Sequence, residues 1–364
     1  MDKEKIIVDG YEYIIYKGDD IEIGDWYLFK CKLENKEELL VVRCENKISS
    51  LDRDRYKIIA TNNPNIFGLP PIFNTLGDRM NYYRSKAEVR LQPKSYVLAM
   101  LDGKNFSNRW KNKLNKPFDD GFISDMNETA KYLCENIAGC KLAFVQSDEI
   151  NLFLCDYERE ETQPWFDYRM SKILSVSAAM ASGKYNQLRL VRELEESIND
   201  VICSYDEYGD LYKKEYKDGR VIHFDEGEGV EEPTIYDNIR NFKLSEFDSK
   251  FWCVPEKNDA IAWFLFRQND SIRNSILQVG YTYFSDKQLK NMKTPEIKEK
   301  LLSEKNIDWD TYMSGQKYGR VVYKVKEDKD GVIRSKWVIE DAPIFKESYG
   351  REWLSELIPL NINE

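Results

Sequence analysis

The alternation of apolar and polar positions changes period several times along this chain, and each change predicts an element. IIVDGYEYIIY sets Asp9-Gly10 between two β-rich runs, a hairpin signature. DWYLFKCKL and ELLVVRC continue as short strands, and NNPNIFGLPPIF is a linker marked by proline and glycine. Residues 1–73 therefore read as a small β-rich module and linker, with no chemistry legible in it. LGDRMNYYRSKAEV then predicts a helix, closed off by Pro93. SYVLAML (95–101) is a mostly apolar run, expected as a buried strand that ends at Asp102-Gly103.

In 118–137 the apolar positions Phe122, Met126, Ala130, Leu133 and Ile137 recur at the 3–4 spacing of an amphipathic helix. KLAFVQ (141–146) and INLFLC (150–155) predict two strands joined at Ser147-Asp148-Glu149. Residues 164–186 predict a second long helix. This β-α-β-β-α order is that of a ferredoxin-like split βαβ unit, in which one more strand is expected. Residues 203–240 are polar and hairpin-prone, as an insertion would be. FDSKFWCVP resumes the core, 258–280 is an amphipathic helix, and the end is a hairpin about Asp330-Gly331. The expected class is α+β, a polymerase-palm-like catalytic domain over 74–325 with the insertion near 203–240. The small N-terminal β module precedes it, and a C-terminal hairpin and tail cover 326–364.

Composition narrows the chemistry. Among 364 residues there is one histidine, His223, which excludes multi-histidine metal sites and disfavours Ser-His-Asp or Cys-His catalysis. Seven cysteines form no CxxC pair, so free thiols in a reducing cytoplasm are expected. No stretch of about 18 uncharged apolar residues is present to span a membrane. The start MDKEKIIVDG has no apolar core of a secretory signal. A net charge of -10 argues against a general nucleic-acid coat protein, though not against a local basic groove.

The candidate chemistry is carboxylate chemistry. Asp102 ends a buried strand, and Asp148 and Glu149 sit at a hairpin tip that the split βαβ arrangement makes a neighbour. Acidic groups so close repel unless a divalent cation compensates them, and an all-oxygen donor set suits Mg²⁺. Ordinary solvated turn residues are the competing reading. Lys104, Arg109, Lys111, Lys113 and Lys116 follow Asp102 with no acid among them before Phe118, a composition suited to a triphosphate. No GxxxxGK[ST] occurs. Gly227-x-Gly229 lies among acids that would repel phosphate.

DGKNF (102–106), LNKPFDD (114–120), QSDEI (146–150) and FRQND (266–270) together resemble the tRNA(His) guanylyltransferase family, over roughly 74–325. The closest likeness is to its bacterial and phage guanylyltransferase-like members, which are 3′-to-5′ RNA polymerases. The resemblance implies a palm with two Mg²⁺ ions held by Asp102, the Gly103 carbonyl and Asp148, with Glu149 at the second acidic position. It implies nucleotide contacts from Lys104, Asn105, Phe106 and Lys116, and puts Ser147 near the activated 5′ end. Arg169 and Lys172 would face the triphosphate and 5′ end, and Arg267, Arg273 and Asn274 become candidates for nucleotide or RNA contact. ATP and GTP or another NTP would be substrates, tRNA the partner, and a homotetramer in the cytoplasm the working form.

One departure bears on specificity. Eukaryotic members carry His-Ile-Asn-Asn where this chain has Ile272-Arg273-Asn274-Ser275, so the histidine is absent. That favours template-directed repair of tRNA 5′ ends over strict addition of one G to histidine tRNA. Nucleotide cyclases use the same palm, but their GG[DE]EF loop is missing. An inactive RNA-binding palm would be expected to lose at least one of Asp102, Asp148, Glu149 and Lys116. The lysines from Lys287 to Lys305 are diluted by acids and read as a solvated helix. Trp252, Trp263 and Phe264 read as core.

Overall fold

A computed structural model describes residues 5–8, 11–15, 26–33, 36–48, 53–61, 76–106, 113–199, 201–205, 211–216, 221–223, 239–240, 242–329 and 332–361. The chain divides into two compact units, residues 1–89 and 90–364. The first holds a five-stranded sheet in the order β1-β2-β3-β4-β5, built from Lys5–Val8, Tyr11–Ile15, Trp26–Leu33, Lys36–Ile48 and Arg53–Thr61. Val8 faces Tyr11, as the hairpin pattern predicts, while Asp9-Gly10 itself lies outside the described residues. Helix α1, Leu76–Lys86, belongs to this unit and not, as the pattern suggests, to the palm.

The second unit is built on one six-stranded sheet, β12-β6-β8-β7-β13-β14. Its members are β6 (Tyr96–Gly103), β7 (Cys140–Gln146), β8 (Glu149–Leu154), β12 (Phe247–Val254), β13 (Arg320–Lys329) and β14 (Val332–Asp341). Every neighbouring pair is antiparallel. β6, β7, β8 and β12 with helices α2 (Asp120–Asn136) and α3 (Met170–Asn199) form the split βαβ unit, and β12 is its expected last strand. The C-terminal hairpin does not stand apart. Residue 325 falls inside β13, whose Arg320–Tyr323 segment pairs with β7 and so extends the palm sheet. The turn residues Asp330-Gly331 lie outside the described residues, but Lys329 faces Val332 across them.

The sheet is buried on both faces because the palm strands are apolar at successive positions. Val97, Ala99 and Leu101 face α2 and α3, which contribute Met126, Ala130, Leu133, Ile173 and Tyr185. Tyr96, Leu98, Phe144 and Phe153 face Ala260 and Phe264 of α4 (Lys257–Tyr283) and Leu354 of α8 (Ser348–Leu357). Each such leucine or phenylalanine removed from water adds about 1.5–3 kcal/mol. A third cluster joins Ile276 and Val279 of α4 to Ile297 and Leu301 of α6 (Thr294–Lys305), which follows the short α5 (Asp286–Leu289).

Two glycines permit close approaches that matter below. A Cβ on Gly103 would lie 2.5 Å from the Phe106 ring, so that ring folds back over the end of β6. Gly319, with φ +83°, caps α7 (Ser314–Tyr318) and would meet the Phe144 ring at 2.5 Å. It lets the chain turn into β13 hard against β7. The second long helix starts six residues later and runs thirteen residues farther than 164–186, because Trp165–Tyr168 form a separate 3₁₀ turn. The expected insertion contains a small sheet, β11-β10-β9, from Val221–His223, Leu211–Tyr216 and Val201–Tyr205. Residues 224–238 lie outside the described set.

Candidate active site

β6 and the β7–β8 turn bring the predicted carboxylates together. Asp102 faces Glu149 across the β6–β8 ladder, and the Gly103 amide donates to the Asp148 carbonyl at 3.0 Å. Burial pushes the Asp102 carboxyl up to about 6, with the charges of Asp148, Glu149 and Asp248 adding to it. Asp248 faces Asp102 from β12 and was not foreseen; only the Phe247–Gly103 register reveals it. Burial also raises Asp148, against hydrogen bonds from its own amide and from the Ser147 hydroxyl. Both supporting turns are bent into left-handed backbone, with φ 44° at Ser147 and 58° at Asn105.

Glu149 differs from the other two acids. Arg267 on α4 grips it with a two-point bond, Nε to Oε1 at 2.7 Å and Nη2 to Oε2 at 2.5 Å. Asn151 donates to the same Oε1 at 2.6 Å and accepts from the Trp263 indole at 3.0 Å. α4 is itself pinned across the sheet by Gln268, which donates to the carbonyls of Tyr318 and Pro343 and accepts from the Phe345 amide. Glu149 therefore serves here as the partner of Arg267. Among the described residues, no cationic side chain lies at hydrogen-bond range of Asp102 or Asp148.

A cavity of about 470 Å³ opens beside Asp148. Its walls include Ser147, Lys116, Phe118, Asn274 and Gln278, with Phe106 at its floor. Phe106 is mainly core, only 3% exposed and ringed by Phe122, Tyr185 and Phe247. Asn274 is exposed and faces the cavity, whereas Arg273 is exposed and outside its lining. Lys104 turns aside to pair with Glu246 at 2.7 Å, both side chains exposed. Arg109 and Lys111 lie outside the described residues.

Arg169 and Lys172 are not in the lining of this cavity. α3 runs along β12: the Ser182 hydroxyl accepts from the Phe247 amide, and the Ser249 hydroxyl donates to the Leu174 carbonyl. Arg169 makes a strand bridge to Arg90. The lysines after α4 behave as a solvated surface: Lys298 pairs with Asp310 and Lys300 with Glu304. Trp263 packs edge-on to Trp252, and Phe264 is fully buried.

Residues 77–223 match the family model described as "Thg1: tRNAHis guanylyltransferase". A solved structure described as "Bacterial tRNA(HIS) Guanylyltransferase (Thg1)-Like Protein in complex with ATP" superposes with a TM-score of 0.59 at 28% identity, covering 79% of this chain and all of that one. The same description with GTP gives 0.57 at 26% identity, covering 78% of this chain and 99% of that one. Over residues 77–223 the chain is similar to the tRNAHis guanylyltransferase family. Among curated relatives, "Uncharacterized protein R259" of Acanthamoeba polyphaga mimivirus is 25% identical over 284 residues, 72% of this chain and 83% of that protein. The family match ends at 223, so Arg267, Asn274 and the α4 wall of the cavity lie beyond it.

Among the described residues no helix is long and apolar enough to cross a membrane. No group of three or more His, Cys, Asp or Glu is spaced as a ready metal cage there either.

Proposed function

We propose that this protein is a Mg²⁺-dependent nucleotidyltransferase that repairs tRNA 5′ ends by adding nucleotides in the 3′-to-5′ direction under the direction of the opposite strand. The observation that carries this reading is the pair Asp102 and Asp148, uncompensated beside a nucleotide-sized cavity, in a palm sheet. The donor set fits the metal. Two carboxylates and the Gly103 carbonyl are all oxygen, and Mg²⁺ is bound by few carboxylates plus substrate phosphates. The crowding that raises Asp102 is relieved by a cation. When bound, Mg²⁺ supplies charge that stabilises the phosphoryl group being transferred.

The chain's own groups bind and orient. Lys116 donates to nucleotide phosphates at the cavity mouth, and Ser147 hydrogen-bonds Asp148 and keeps the β7–β8 turn aimed at the reacting phosphorus. The nucleophile is the 3′-hydroxyl of the incoming NTP. The electrophile is an RNA 5′ end bearing a triphosphate, from which attack releases pyrophosphate, or a monophosphate first adenylylated by ATP with loss of pyrophosphate, from which attack releases AMP. Templated repair is favoured over strict G addition because Ile272 packs into the apolar cluster with Ile276 and Leu277, leaving no polar group at that position. Arg169 and Lys172, outside the cavity lining, would reach RNA at the site of another protomer in a cytoplasmic homotetramer, which size-exclusion with light scattering would test.

The decisive assay takes a tRNA lacking its 5′ nucleotide with Mg²⁺, ATP and each NTP singly, and reads product length on a denaturing gel. Only the NTP complementary to the opposite strand should be added. Asp102→Ala and Asp148→Ala should lose about a thousandfold in rate, the worth of several kcal/mol of charge stabilisation. Addition of G whatever lies opposite would replace this reading with strict guanylyl transfer. No extension by the wild-type protein would refute it.

A further inference from the structure

The far wall of the cavity is one stripe of α4. Ser271, Asn274, Ser275, Gln278, Tyr281 and Thr282 all line it, at the 3–4 spacing of a single helix face. From Ser271 to Tyr281 the stripe runs about 15 Å. One end lies near the carboxylates, since Arg267 is one turn before Ser271 and holds Glu149. At the other end Tyr281 is 51% exposed. Among the described contacts its ring meets no aromatic partner and its hydroxyl makes no hydrogen bond. A large aromatic on the wall of a cavity, half in water, has apolar area that the fold itself does not bury.

One turn earlier, Gln278 donates its amide nitrogen to the Pro117 carbonyl at 2.5 Å. A carbonyl only accepts, so the carboxamide is oriented with its nitrogen on Pro117, and its oxygen is left as an acceptor on the cavity-lining face one turn before Tyr281. Opposite them stand Leu114 and Phe118 of the loop that carries Lys116. An open aromatic face with an oriented acceptor next to it is suited to a flat heteroaromatic ring that carries N–H donors on its edge.

We infer that Tyr281 and Gln278 seat the base of the incoming nucleoside triphosphate, Tyr281 by stacking and Gln278 by accepting from the base edge. The inference rests on the nucleotide reading of this cavity and extends it: the phosphates lie toward Asp148 and Lys116, the base toward the C-terminal half of α4. Neither residue falls in the segment matched to the family. The same flat chemistry is carried by the 5′ base of RNA, and the inference assigns the seat to the free nucleotide.

The test uses the full chain in Mg²⁺ and isothermal titration with GTP, with inorganic tripolyphosphate and with a 5′-triphosphorylated RNA. Tyr281→Ala, a mild change on an exposed helix position, should weaken GTP about tenfold or more and leave tripolyphosphate unchanged. Tyr281→Phe keeps the ring and should bind GTP as the wild type does. Equal GTP affinity of Tyr281→Ala and wild type would overturn the inference. So would a matching loss for tripolyphosphate, which marks general damage, or a loss confined to RNA. Failure of the wild-type protein to bind GTP is a different result: it removes the nucleotide reading, and this inference with it.

Discussion

Two buried acid–arginine pairs flank the palm sheet and do opposite work. On the face covered by α2 and α3, Asp125 of α2 is 1% exposed and meets Arg192 of α3 through three bonds of 2.8–3.1 Å, with Arg189 at 3.8 Å. Two cations face one carboxylate there, so the negative charge is consumed within the protein. On the other face, Arg267 is shared between Glu149 and Asp270, and Asp102, Asp148 and Asp248 stay in a negative patch. The first pair ties α2 to α3. The second leaves a surplus that a cation and its phosphates can neutralise. A count of charges by segment does not separate the two, because the difference is how many arginines each helix delivers to which face.

The comparison is broken most severely at Asp125. Replacing it with alanine removes the buried carboxylate that Arg192 meets through three bonds and leaves Arg189 with Glu193, and unfolding free energy should drop by about 3 kcal/mol in chemical denaturation. Arg267→Met is a smaller change. Glu149 loses its partner, so the melting temperature should fall, while Mg²⁺ affinity should rise because one more negative charge is felt at the patch. Calorimetric titration with Mg²⁺ reads the second effect, and unchanged affinity would mean that Arg267 does not shape the patch.

The subtlest test is pH. The Asp102 carboxyl titrates near 6 in the fold and near 3.8 when unperturbed, so between those values the folded chain binds more protons than the unfolded one. A raised carboxylate pKa makes stability fall as pH rises through that window. In chelator, Asp102→Asn removes the effect. Its stability relative to wild type should therefore grow from pH 4 to pH 7, by about 1 kcal/mol after screening at this half-buried position. A flat difference would show that the crowding is relieved by water.

Much of the site was legible because it is local. Asp102 could be placed at a strand end from SYVLAML alone, and Asp148 at a tip from two apolar runs separated by a polar break. The Phe122–Ile137 stripe became the buried face of α2, as its spacing requires. Phe106 does line the cavity, but its ring also folds back over Gly103 into the core, and nothing in DGKNF announces that second role. Arg169 and Lys172 lie in a recognisable motif, but their distance from Asp102 depends on which end of α3 meets the carboxylates. The boundary drawn at 325 failed because a hairpin looks alike whether it stands alone or pairs with β7.

The order of strands and helices, their amphipathic faces and the residue types at the β6 end and the β7–β8 turn were settled by the chain's own periodicity. Such signals live within one or two turns of backbone and need no distant partner. The pairing of Glu149 with Arg267, the arrival of Asp248 opposite Asp102 and the α4 wall of the cavity join residues a hundred or more positions apart. Only the packing of α4 and β12 onto the sheet decided those, because the register of one element on another is set by side-chain fit across the whole core.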